Sequence, residues 1–154
     1  MDKQSSTKFS ANEKEIQRLL NENRDWKESL NYIAEEINFL DLFLKADIFQ
    51  EYALNLFEKL HDFRKKIVEF KIEIQQLTRE ISNHRHDIEG MRECEDIGCE
   101  IFYHEEHLKL EQRLKEFKNR FKDSKLDIFT HTAGYLKKRE TEKTQQIKNQ
   151  GNEK

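Results

Sequence analysis

Apolar residues recur alternately three and four positions apart along most of the chain, the heptad pattern of long helices that pack along a narrow seam. Breaks in this spacing separate three stripes. The first stripe is Ile16, Leu19, Asn23, Trp26, Leu30, Ile33, Ile37, Leu40 and Leu44. The second is Ala46, Phe49, Ala53, Leu56, Leu60, Phe63, Ile67, Phe70, Ile74, Leu77, Ile81, His84, Ile88 and Met91. The third is Tyr103, His107, Leu110, Leu114, Phe117, Phe121, Ser124, Ile128, His131 and Tyr135. The chain has no proline and 4 glycines, so it lacks the turn signals of a β-rich fold. The pattern predicts an all-α protein.

The breaks divide residues 10–139 into one domain of three helices. We predict these helices at about 10–45, 47–90 and 100–138. Gly90 and Gly98 bracket the second break, where a helix end is expected. The flanking segments 1–9 and 140–154 are poor in apolar residues, and we expect both to be disordered.

The first break is less clear, because no glycine marks it. The stripe changes phase between Leu44 and Ala46, which predicts a tight corner at 45–47 between antiparallel helices. Asp47 is the expected N-cap of the second helix. The alternative is one continuous helix that passes through a stutter in the heptad repeat.

Folding the helices back at these corners predicts a long antiparallel three-helix bundle, or coiled coil. The residue numbers of two facing positions then add up to about 92 between helices one and two, and to about 190 between helices two and three. Trp26 would face Ile67 and Ser124, and Asn23 would face Phe70. Since the first helix is the shortest, helices two and three should project past it as a two-helix hairpin.

Charge and hydropathy narrow the class of protein. The chain is 38% charged and 35% hydrophobic, which suits long helices with narrow seams better than a deep core. Residues 92–112 carry 2 basic and 7 acidic side chains, whereas residues 113–154 carry 12 and 6. Residues 1–15 have no apolar core of the kind that a secretory signal needs, and no apolar run approaches the roughly 18 residues of a membrane span. We therefore predict a cytoplasmic protein without membrane association.

One cluster of residues has the chemistry of a metal site. Both cysteines and four of the six histidines lie near the connection between helices two and three, at the end of the predicted hairpin. Imidazole and thiolate are the preferred ligands of zinc, and helical i,i+3 or i,i+4 spacing directs two of them at one ion. Alternatively, the cysteines are free thiols of a cytosolic loop and the histidines only pack in the seam. The candidate ligands are Cys94, Cys99, His104 and His107, with His84 or Glu111 as substitutes.

Other activities find less support. The chain contains no Gly-rich phosphate loop and no nucleophile elbow, so we do not expect an enzyme or a cofactor other than zinc. The third helix is basic, but Phe117 and Phe121 lie on its apolar stripe and are expected in the core rather than stacked on bases. The sequence therefore does not favour nucleic acid as a partner.

The segment Asp25-Trp26-Lys27-Glu28-Ser29-Leu30, followed by long helices and a His-rich connection, resembles small uncharacterised bacterial coiled-coil proteins. The resemblance implies a fold rather than an activity. Several apolar residues lie beside the stripes and would stay exposed in three helices, which predicts a surface for a protein partner or a second copy. They are Phe39, Phe43, Ile48, Phe57, Phe102, Leu126 and Phe129. We expect a structural or interaction protein that self-associates, with a zinc-binding or zinc-sensing protein as the alternative.

Overall fold

The protein is a bundle of three long helices in up-down-up order. A computed structural model describes residues 2–51 and 54–138, with side chains from residues 12–51 and 55–138. The helices are α1 (Asp2–Lys45), α2 (Leu54–Gly90) and α3 (Ile97–Thr132), and 3₁₀ turns follow at Met91–Glu93 and Ala133–Tyr135. Within these ranges there is no strand, apart from one isolated bridge between Phe49 and Leu136. The all-α prediction is confirmed.

Most positions of the predicted stripes form the core, whereas Ala46 and Tyr135 are exposed. Leu30 of α1, Ile67 of α2, and Phe117 and Ile128 of α3 are each at most 1% exposed, because heptad spacing keeps them on the inner face of their helices. Polar and charged positions separate these residues along each helix. None of the helices in the described part has an apolar stretch long enough to cross a membrane.

The pairing predicted between helices two and three is confirmed. His84 of α2 contacts His107 of α3, and the ring of Phe70 packs edge-on against Phe117 and Phe121, with centroids 5.8 and 5.5 Å away. These pairs lie at the expected positions about a corner near residues 94–95, since Gly90 ends α2 as predicted.

The pairing predicted for the first helix is wrong. Trp26 packs against His84 and His107 instead of Ile67, with ring centroids 6.4 and 4.4 Å away. Asn23 donates to the carbonyl oxygen of Ile81 at 3.0 Å and does not face Phe70. The shift along α2 is about two heptads, which keeps the apolar stripe of α1 facing inward.

This shift arises from the connection between α1 and α2. The prediction of a tight corner at 45–47 and the alternative of one continuous helix are both wrong. Residues 46–51 are not helical, and α2 begins only at Leu54. Asp47 does not cap α2; its carboxylate accepts a hydrogen bond from Lys137 at 2.7 Å. The amide of Lys137 also donates to the carbonyl of Ile48 at 2.8 Å, so the connection pairs with the segment that follows α3.

The predicted projecting hairpin is also wrong, because α1 extends along the whole bundle. The helix starts at Asp2, so residues 2–9 are helical rather than disordered. Ile16 and Leu19 pack with Ile88 and Met91 at the far end of α2. The predicted disordered tail, residues 140–154, lies outside the described residues.

Asp41 ties the observed register of α1 to α2. Its carboxylate accepts hydrogen bonds from Lys71 of α2 at 3.0 Å and from Lys45 at 3.1 Å. The hydrogen bond from Lys71, assisted by Lys45, holds the pKa of Asp41 below its ordinary value of 3.8, against the opposing effect of burial. The charged carboxylate therefore stabilises the folded state.

We expect Asp41→Asn to lower the free energy of unfolding by about 0.5 kcal/mol at neutral pH. As the pH falls, the carboxylate binds its proton in the unfolded chain, near pH 3.8, before it does so in the folded protein. The stabilisation is therefore complete above pH 3.8 and is lost as the pH falls through the lowered pKa of the folded state. Urea unfolding followed by circular dichroism should therefore show a difference between variant and parent that disappears in acid. Asp25→Asn, at an exposed position of the same helix, is the control. An equal loss in both variants would contradict the role of the Lys71 contact.

Candidate functional site

A chain of hydrogen bonds crosses the core from α1 to α2. Nε2 of His84 lies 2.8 Å from Nδ1 of His107, and Nε2 of His107 lies 2.7 Å from a carboxylate oxygen of Glu22. The two histidines are only 5% and 2% exposed. Each helix thus contributes one side chain, because Glu22, His84 and His107 reach the same level of the bundle. We call these three residues the polar layer.

Trp26 covers the polar layer from the α1 side. Its ring stacks near His84 and tilts 30° against His107. Asn23, one helical turn away, is 2% exposed and donates to a backbone carbonyl of α2. The imidazoles are therefore held by packing as well as by hydrogen bonds.

The direction of the hydrogen bonds follows from chemistry. A carboxylate only accepts, so Nε2 of His107 donates to Glu22. In the neutral tautomer of His107 that carries this proton, Nδ1 accepts the hydrogen bond from Nε2 of His84. Burial, and then the neighbouring His107, lowers the pKa of His84 below 6.5. At neutral pH His84 is thus uncharged, as its place in a core beside a second imidazole requires.

The two cysteines do not contribute to this site. They form a disulfide with each other between the first 3₁₀ turn and the start of α3, and the amide of Cys99 donates to Asp96, the N-cap of α3. The expectation of thiols or metal ligands is therefore wrong for this structure, because only a thiolate coordinates zinc. Disulfides persist in oxidising compartments, which does not agree with a cytoplasmic location; that location stays a prediction.

The other predicted ligands separate into two groups. His104 lies at the surface, where its Nδ1 is 3.8 Å from a carboxylate oxygen of Glu15. His107 and Glu111 instead meet Glu22, and ligand atoms of these three residues lie within 4.8 Å of one another. Sequence reasoning missed Glu22, since the predicted register put α1 elsewhere.

A sequence signal for the correct register did exist. Asn23 is the one polar residue in the stripe of α1, and Trp26 is next to it in the same stripe. Matching them with His84 of the second stripe and His107 of the third, which face each other in the predicted pairing, would have brought polar stripe positions of all three helices to one level. Buried polar groups need partners, and in this register Asn23 bonds the carbonyl of Ile81 while His107 bonds Glu22.

A second feature is an apolar groove between α1 and α3, which we call the α1–α3 groove. Its α1 side consists of Ser29, Tyr32, Ile33, Glu35, Glu36, Phe39 and Leu40. Its α3 side consists of Lys118, Phe121, Lys122, Lys125, Leu126 and Phe129. Exposed fractions reach 71% for Tyr32, 59% for Phe39 and 65% for Leu126. Large apolar side chains thus face solvent side by side.

The exposed apolar residues of the whole bundle agree in part with the surface predicted from sequence. Phe39, Phe57, Phe102, Leu126 and Phe129 are exposed, as expected. Two others are partly buried against the core: Phe43 and Ile48. Tyr32 was not predicted, because tyrosine outside a stripe gives no signal of its own.

The edges of the α1–α3 groove carry opposite charges. Glu35 and Glu36 lie on the α1 edge, and three lysines lie on the α3 edge. Lys125 pairs with Glu36 across the groove at 2.8 Å. The edges therefore already attract each other within one chain.

The basic face of α3 is partly neutralised. Arg113 pairs with Glu80, and Arg120 pairs with Glu73. Phe117 and Phe121 are 0% and 3% exposed, which confirms that they belong to the core. These rings are not available for stacking on bases.

The chain matches no model of a known protein family, no curated protein and no solved structure. The resemblance to small bacterial coiled-coil proteins therefore stays a prediction.

We expect His84→Ala to lower the free energy of unfolding by about 2–4 kcal/mol, because it leaves a cavity under Trp26 and an unpaired nitrogen on His107. His86→Ala, at an exposed position two residues away, should change it by less than about 0.5 kcal/mol. Chemical denaturation of both variants measures the difference. Equal effects would show that the polar layer does not stabilise the bundle.

Proposed function

We propose that this is a non-enzymatic interaction protein that self-associates through the α1–α3 groove, with a second copy of the chain as its occupant. The observation that carries the proposal is the row of exposed apolar side chains in the groove, above all Tyr32, Phe39 and Leu126. Contiguous apolar surface of this kind is typical of protein interfaces. Its burial would supply about 25 cal/mol for each Å² removed from water.

Charge favours a second copy over an unrelated helix. Helices α1 and α3 run parallel, because the residue numbers of their contacting pairs increase together along both helices. These pairs are Glu22–His107, Glu36–Lys125 and Phe43–Phe129. A two-fold axis along the bundle therefore places the acidic α1 edge of each copy against the basic α3 edge of the other. The acidic edge and the basic edge of each copy thus both take part in the interface, as in an isologous dimer.

The dimensions of the groove agree with this arrangement. From Ser29 to Leu40 it extends over about 17 Å of α1, and over a similar length of α3 from Lys118 to Phe129. A second copy presents two parallel helices with the same spacing, so it can cover both sides at once. The opposite two-fold axis, across the bundle, would instead bring like charges together.

Leu126→Glu tests whether the groove is the interface. We expect the unchanged protein to sediment as a dimer, and the variant to dissociate at least about tenfold more readily, because the new carboxylate would be buried in the interface. Ile72→Glu is the matched control, since Ile72 on α2 is 61% exposed and Leu126 is 65% exposed. A monomer at submillimolar concentration, or equal dissociation of both variants, would overturn the proposal.

A charge reversal tests the orientation of the dimer. Glu35→Lys should weaken association, because the α1 edge would then face lysines with the same charge. Adding Lys122→Glu to the same chain should restore it, since both copies carry both changes. Sedimentation at low and high salt measures this recovery. A double variant as weak as the single one would exclude the two-fold axis along the bundle.

A further inference from the structure

Three side chains with metal-binding atoms meet at the open end of the polar layer. Glu22 comes from α1, whereas His107 and Glu111 come from α3, where their i,i+4 spacing directs both to one side. Each offers one ligand atom, and these atoms lie within 4.8 Å of one another. The group includes a buried imidazole, so it is more than a surface cluster of acids.

The spacing requires only a small adjustment to accept an ion. Zinc binds imidazole nitrogen and carboxylate oxygen at about 2.0–2.2 Å, so tetrahedral ligands lie about 3.3 Å apart. The carboxylate of Glu22 is now 2.7 Å from Nε2 of His107 and would have to retract by less than about 1 Å. Its side chain is 35% exposed and has room to do so. Ligand atoms of the set that lie up to 4.8 Å apart would have to approach each other by about 1.5 Å.

The imidazole is already oriented for this purpose. Trp26 packs on the ring of His107, and the Nδ1 atom of His107 contacts His84 at 2.8 Å. When Nε2 of a histidine binds a metal, its other nitrogen carries the proton and donates it to a neighbour. His84 is the neighbour here, and its Nε2 would change from donor to acceptor, with its own proton moving to Nδ1.

We propose that Glu22, His107 and Glu111 bind one zinc ion, with water completing its coordination. One imidazole nitrogen and two carboxylate oxygens form a mixed set that zinc accepts. The ion would take the place of the proton between Glu22 and His107 and would link α1 to α3. His84 is a positioning residue for this site, and the disulfide of Cys94 and Cys99 lies outside it.

Titration of the full, disulfide-bonded chain with zinc, at about pH 7.5 where histidine is neutral, tests the site. Calorimetry should give one zinc per chain. The emission of Trp26, the only tryptophan, should change in the same titration because its ring contacts His107. Glu22→Gln and Glu111→Gln should each weaken binding by about tenfold or more, since a neutral amide is a poor ligand.

Three controls separate this site from others. Glu28→Gln on α1 and Glu105→Gln on α3 make the same change at exposed positions of the same helices and should leave the affinity unchanged. Cys94→Ser combined with Cys99→Ser should also bind zinc as the parent does. Failure to bind zinc, equal binding by the Glu22 and Glu111 variants and the parent, or loss of binding in the cysteine variant would each overturn the proposal. None of these outcomes depends on whether the chain forms a dimer.

Discussion

Hydrogen bonds from Glu22 through His107 to His84 fix the register of all three helices. Apolar stripe positions are interchangeable when a helix slides by one heptad, because contacts among leucine, isoleucine and phenylalanine have no direction. The polar layer is not interchangeable: a slide would leave buried nitrogens without partners, at a cost of about 1–3 kcal/mol each. Trp26 fills the space beside the two imidazoles, so packing and hydrogen bonding select the same arrangement.

Contacts at both ends of the bundle support this register. At one end, the connection after α1 pairs with the segment after α3 through Phe49 and Leu136, and through Asp47 and Lys137. At the other end, α1 continues past the polar layer and covers the last turns of α2. Contacts are therefore present near both ends of the bundle, from Ile16 of α1 to Leu136 after α3, and the α1–α3 groove lies between them.

The polar layer and the α1–α3 groove share a geometric cause. Helices α1 and α3 both pack on α2 and approach each other through long side chains, as in the pair Glu36–Lys125. Where those side chains are aromatic or aliphatic, a groove with apolar walls results. Where they are Glu22, His107 and Glu111, a set of metal-binding atoms results. One three-helix arrangement thus supplies both the proposed dimer interface and the proposed zinc site.

Heptad spacing in the sequence determined the helical class, the inward faces, and the pairing of α2 with α3, since Gly90 marks their corner. It also brought His84 and His107 together. The position of α1 depended on the tertiary structure, because a stripe that repeats every seven residues fits several registers equally well. Glu22 and Trp26 reached the histidines only in the register that the longer connection allows. The Cys94–Cys99 disulfide likewise follows from the path of the backbone between α2 and α3, which spacing alone does not determine.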